Sequence, residues 1–159
     1  MKRKLRVGVF SFTGDEGCVI TFVEILNDWF AKWKDQVDFV NMRVLRGNNT
    51  LEDLDVAFIE GAIANFKEEA KLKEIRAHAK RVVAIGSCAI NGTPSNHRNF
   101  FDEKTRAEIQ FLLDKFKHRE KVVPITELVT VDAQVPGCPM QENVMVDLMN
   151  KYIAEFGGN

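Results

Sequence analysis

Leu5-Arg6-Val7-Gly8-Val9-Phe10-Ser11-Phe12-Thr13-Gly14-Asp15-Glu16-Gly17-Cys18 is the stretch on which the fold turns. Its first eight residues alternate and are partly β-branched or aromatic, as a strand requires. Thr13 to Gly17 is rich in turn formers. Beyond it Phe22, Ile25, Leu26, Trp29, Phe30 and Trp33 recur at steps of three and four, which predicts a helix with all six on one buried face. Strand, polar loop and helix, in that order, open an alternating α/β pattern.

The alternation continues along the chain. Strands are expected from Val37 to Val44 and from Leu54 to Ile59, the second leading into Glu60-Gly61. The Ala-, Lys- and Glu-rich run from Ala62 to Lys80 predicts a helix, and Arg81 to Ile85 a short buried strand broken by Gly86. Asn91 to Asn99, with Gly92, Pro94 and Ser95, reads as an ordered loop placed to cover a site. A helix is expected from Asp102 to Lys117 with Ile109, Leu112, Leu113 and Phe116 on one face, then a strand near Leu128 to Val131. Met145, Leu148, Met149, Tyr152, Ile153 and Phe156 predict the closing helix. Right-handed crossovers then give a doubly wound, mostly parallel sheet with helices on both faces, a flavodoxin-like α/β fold.

A chain of 159 residues with 45% hydrophobic content suits one domain spanning 1–159. A net charge of -1, with both signs interspersed, excludes a nucleic-acid face and a polybasic membrane patch. Met1-Lys2-Arg3-Lys4 runs straight into the first strand without the apolar run of a signal peptide or a span, so a cytoplasmic protein without membrane insertion is expected.

Three cysteines are an odd number for a disulfide scaffold. Cys18, Cys88 and Cys138 each fall in a predicted strand-to-helix connection, and in a parallel sheet all such connections share one edge. Gly17, Gly86 and Gly137 beside them let backbone approach a bulky inorganic ligand. Any one thiol alone reads as a small buried hydrophobe. Three at one edge favour a shared ligand, zinc or an iron–sulfur cluster. C-x-x-C pairs are absent, and His78, His97 and His118 are expected in helices or the long loop, so a dispersed cluster site is favoured. A four-iron cluster takes four ligands, and the chain offers three cysteines.

Gly17-Cys18, Glu60-Gly61, Gly86-Ser87-Cys88-Ala89-Ile90-Asn91-Gly92 and Val135-Pro136-Gly137-Cys138-Pro139 occur in an order that resembles the small subunit of [NiFe] hydrogenases and the related cluster-binding subunit of respiratory complex I. That resemblance implies one proximal [4Fe–4S] cluster on Cys18, Cys88 and Cys138. The family's first motif is normally C-x-x-C, and here Asp15 stands in place of its first cysteine. Small subunits resembling those of coenzyme F420-reducing enzymes use aspartate there, which implies Asp15 as the fourth ligand. Its other reading is a loop or N-cap residue accepting backbone hydrogen bonds, with water or a three-iron cluster completing the site, and Glu16 is a rival for the same role. Glu60 reads either as a polar group near the cluster or partner, or as a solvated loop carboxylate.

The resemblance further implies that the chain holds no catalytic residue of its own. The nickel–iron centre belongs to a separate large subunit, and a second partner carrying an iron–sulfur cluster or flavin takes the electrons onward. A sequence ending at Gly157-Gly158-Asn159 leaves no room for a ferredoxin-type extension, so one cluster is expected. A complex I-like or membrane-bound hydrogenase subunit, a flavodoxin-like carrier and a cofactor-free interaction subunit are the competing readings.

Overall fold

All seven residues of β3 (Leu54–Glu60) are buried, because this strand lies in the middle of a sheet covered on both faces. The computed structural model describes residues 3–157; the expectations that rest on Met1, Lys2, Gly158 and Asn159 lie outside the described residues. β1 (Leu5–Ser11), β2 (Val37–Asn41), β5 (Ala79–Ile85) and β7 (Ala133–Val135) join β3 in parallel, in the order β2-β1-β3-β5-β7. Counting only the strands of this sheet, that is the flavodoxin-like order. Val56 and Phe58 pack toward α1 (Gly17–Trp33) and α5 (Glu142–Phe156), whereas Ala57 and Ile59 pack toward α2 (Phe66–His78) and α3 (Gly86–Asn91). The mostly parallel α/β architecture is thus the one expected, and α1 buries Phe22, Ile25, Leu26 and Trp33.

Several boundaries differ, each for a local reason. The helix expected from Ala62 starts at Phe66, because the Asn65 side chain accepts the Glu68 N–H at 2.9 Å and caps it there. The residues ahead of it form β4 (Ile63–Asn65), which pairs antiparallel with β6 (His118–Val123) in a second, two-stranded sheet. β6 was not expected, and it places His118 in a strand instead of a helix or loop. β2 stops at Asn41, since the Asn49 side chain takes the Met42 N–H at 2.8 Å and turns the chain away. The strand expected near Leu128 to Val131 lies at β7, after a 3-10 turn over Ile125–Glu127.

Two helical faces are less buried than their periodicity implies. Phe30 is 50% exposed on α1. α4 (Glu103–Lys115) has no buried residue: Ile109 and Leu113 are half-buried, while Leu112 and, just beyond the helix, Phe116 face outward. An apolar stripe needs a partner surface, and α4 lies against the small sheet of β4 and β6, not the main core. The β2-to-β3 crossover, residues 42–53, holds no helix, and a cavity of about 750 Å³ opens there between the ends of β1 and β2 and the flank of α2. No helix among the described residues is long and apolar enough to cross a membrane.

Candidate metal centre

The carboxyl ends of β1, β3, β5 and β7 converge on a second cavity, of about 190 Å³. Asp15, Cys18, Cys88 and Cys138 all line it, together with Glu60 and Ser87. The four residues singled out in the sequence, from segments up to 123 positions apart, are therefore neighbours around one space.

The loop after β1 is tied to the end of β3 by a pair of backbone hydrogen bonds, Thr13 N–H to Ala62 O at 3.0 Å and Ala62 N–H to Thr13 O at 2.8 Å. Gly61 sits between them at φ 84, where a Cβ would lie 2.7 Å from the Phe12 carbonyl carbon. Only glycine allows the two loops to pass this closely. Glu16, at φ 62, then redirects the chain into α1, whose first turn carries Cys18. Asp15 stands before that turn, exposed, with Oδ1 accepting the Gly17 N–H at 3.0 Å; Oδ2 makes no hydrogen bond among the described residues. The loop role weighed for Asp15 is thus present, and it leaves one oxygen open.

Cys88 lies in α3, again inside a first turn and not in the connecting loop itself. Gly86, at φ 79, brings this turn against α1 so closely that a Cβ there would stand 2.4 Å from Cys18 Sγ. The third segment is locked to the second by Gly137 O, which accepts the Ser87 N–H at 2.8 Å and the Ser87 hydroxyl at 3.1 Å. Cys138 follows in the loop before α5 and is exposed. Above Cys88, the Ser95 hydroxyl donates to its Sγ at 3.2 Å, so the 91–99 loop does reach the site.

Negative charge is costly here. Burial pushes the Cys18 thiol up to about 11; a backbone hydrogen bond from Met140 offsets part of this, and the nearby Glu60, Cys88 and Cys138 add to it. Burial also raises the Glu60 carboxyl, against hydrogen bonds from Ser11 and from the Val19 and Cys18 amides. Thiolates in such surroundings are favoured once a cation binds them. The described residues contain no group of three or more His, Cys, Asp or Glu close enough to hold a single metal ion, and no histidine lines the cavity. Three thiols and a carboxylate spread around one cavity fit a multi-atom cluster better than one ion.

Glu60 is 4% exposed, so it is a buried site residue and not a solvated loop carboxylate. Ser11, Ser87 and Ser95 were given no role of their own in the sequence, although Ser87 lies inside the Gly86–Gly92 motif and Ser95 in the 91–99 loop. Ser11 pairs in register with Glu60 across β1 and β3, a signal recoverable by aligning the two strand ends. Ser95 lies seven residues beyond Cys88, a spacing with no periodic meaning.

The family described as NADH ubiquinone oxidoreductase, 20 Kd subunit, matches residues 16–152, and the chain belongs to it. The match includes all three cysteines and begins one residue after Asp15. Among relatives, a subunit of the F420-non-reducing hydrogenase of Methanothermobacter marburgensis is 27% identical over 94% of this chain and 53% of its own length. The delta subunit of the NAD-reducing hydrogenase HoxS from Cupriavidus necator is 23% identical over 94% of this chain and 79% of its own length. A chain of a crystal structure of an NAD+-reducing [NiFe]-hydrogenase in the H2-reduced state superposes with a TM-score of 0.79 at 28% identity, over 99% of this chain and 95% of that one. The chain spans about half the length of the first curated relatives it matches.

Proposed function

We propose that this chain is the small, electron-relaying subunit of a [NiFe] hydrogenase, with one [4Fe–4S] cluster held by Asp15, Cys18, Cys88 and Cys138. The observation that carries the reading is the convergence of these four residues on one cavity at the carboxyl edge of the sheet. Family membership and the hydrogenase relatives support it. When bound, such a cluster supplies one-electron transfer; the chain's own residues bind and orient it. Cys18, buried in the first turn of α1, and Cys88, in the first turn of α3, supply ligands from two helix starts, and Cys138 supplies a third from the loop before α5. Asp15 offers Oδ2 while Gly17 holds Oδ1.

This reading assigns the nickel–iron centre to a partner large subunit seated against the cavity edge. A second partner, carrying an iron–sulfur cluster or flavin, exchanges electrons with it. The setting proposed for the assembly is the cytoplasm, where its three free cysteines stay reduced. A complex I-like subunit is the rival within the same family, and the hydrogenase relatives weigh against it.

The test is iron and acid-labile sulfide content with low-temperature EPR on anaerobically purified protein, for wild type, Asp15→Ala and Asp15→Cys. Four irons in wild type, with a spectrum or cluster integrity altered by Asp15→Ala, is the expected result. Iron-free wild-type protein from the intact complex would leave a cofactor-free interaction subunit.

A further inference from the structure

The first turn of α1 carries Cys18, yet nothing within α1 caps it. Glu16, at the N-cap, sits in left-handed backbone with no side-chain hydrogen bond to the helix, and the first turn holds no acidic residue. A helix start leaves backbone N–H groups without intrahelical partners, and buried ones need an acceptor. Here the acceptor comes from another strand.

Glu60, the last residue of β3, reaches across with both oxygens engaged. Oε2 accepts the Val19 N–H, the third backbone donor of the helix start, at 3.0 Å. Oε1 accepts the Ser11 hydroxyl, at the end of β1, at 2.7 Å. No lysine, arginine or histidine pairs with Glu60 among the described residues, so it is not part of an ion pair. Its partners are the end of β1 and the beginning of α1.

We propose that Glu60 is a positioning residue, a helix cap supplied from 41 residues away that fixes the first turn of α1 and so holds Cys18 at the cavity. The clamp belongs to the chain itself, and only its consequence for iron rests on the cluster proposed above. It works through acceptor geometry. Glutamine preserves it, because its carboxamide oxygen still accepts the Val19 N–H while the Ser11 hydroxyl rotates to accept from the amide nitrogen. Alanine removes it.

The test is hydrogen exchange on the full chain, in metal-free and anaerobically purified forms, for wild type, Glu60→Ala, Glu60→Gln and Ser11→Ala. In metal-free protein Glu60→Ala is expected to speed exchange of the Cys18 and Val19 amides at least tenfold, while Val56 to Phe58 in the same strand stay protected. Glu60→Gln should remain within about twofold of wild type, and Ser11→Ala, which frees only one side of the clamp, should fall between. Unchanged exchange at residues 18 and 19 in Glu60→Ala overturns the proposal, as does deprotection by Glu60→Gln equal to that by alanine. If Glu60→Ala does not fold, Ser11→Ala and Glu60→Gln decide the matter by the same criteria.

Iron content separates this from the cluster reading. Wild-type protein without iron sinks the cluster while leaving the metal-free exchange result intact. If wild type holds iron, Glu60→Ala is expected to retain half or less of it after desalting and Glu60→Gln nearly all; equal retention by alanine overturns the positioning role at the cluster.

Discussion

β3 carries a buried carboxylate near each end, and the two are treated in opposite ways. Asp55, at the amino end, is fully buried and meets Arg3 at 2.8 Å, Lys80 at 2.9 Å and the Arg6 N–H at 3.0 Å. Burial alone would raise its carboxyl, but these donors outweigh burial and hold it below the usual aspartate value. Glu60, five residues later, has hydrogen bonds but no cation, and burial raises it. The amino edge of the sheet is satisfied by the chain's own charges. At the carboxyl edge Glu60, Asp15 and the thiols of Cys18, Cys88 and Cys138 gather around a cavity whose lining holds no lysine, arginine or histidine. Cations at one end of the strand and none at the other are what the cluster site proposed at the carboxyl edge requires.

The contrast can be broken by substitution. Asp55→Ala is expected to cost about 3 kcal/mol in chemical denaturation of the metal-free protein, because a buried acceptor with three donors is lost. A cost below about 1 kcal/mol would remove the distinction between the ends. This contribution also has a defined pH window. A depressed folded value means the stabilisation is present above the unfolded aspartate pKa of about 4 and is lost as pH falls through the lower folded value. The stability gap between wild type and Asp55→Ala should therefore hold at neutral pH and shrink in titrations below about pH 4.

Gly86→Ala comes next, at about 2 kcal/mol, since it forces a side chain into left-handed backbone and against Cys18 Sγ. Iron retention should fall with it, whereas an equivalent strain at the amino edge should leave iron content unchanged. Lys80→Met, which keeps the stem but not the charge, should cost only about 0.5 kcal/mol, because Lys80 is 54% exposed and Arg3 remains on Asp55. Smallest of all, Glu60→Gln should leave the metal-free stability at pH 7 within about 0.5 kcal/mol of wild type, since no cation loses its partner. A loss as large as that of Asp55→Ala would show that Glu60 is compensated by charge after all.

How much of this was readable in advance depended on the range of the interaction. β1, α1 and α5 were legible because their apolar residues repeat at the period of the element and face one core. The two-stranded sheet was not. β4 is three residues long, and β6 reads His118-Arg119-Glu120-Lys121-Val122-Val123, mostly polar, so neither shows a strand period. The three cysteines were legible as a group because parallel topology alone sends strand ends to one edge. The Glu60 clamp was not, because it depends on register between β1 and β3 and on a helix start left open by Glu16.

α4 and its surroundings bear on how the chain behaves when handled alone. Phe66, Phe100, Phe111 and Phe116 are each more than half exposed, on or near the helix and the small sheet it covers. Soluble monomers seldom display this much aromatic surface in one region. Purified by itself, the chain should therefore bind hydrophobic dyes and sediment as aggregates at concentrations where a complex with the partners proposed above stays dispersed. Co-expression with those proposed partners is accordingly the practical route to iron-loaded material.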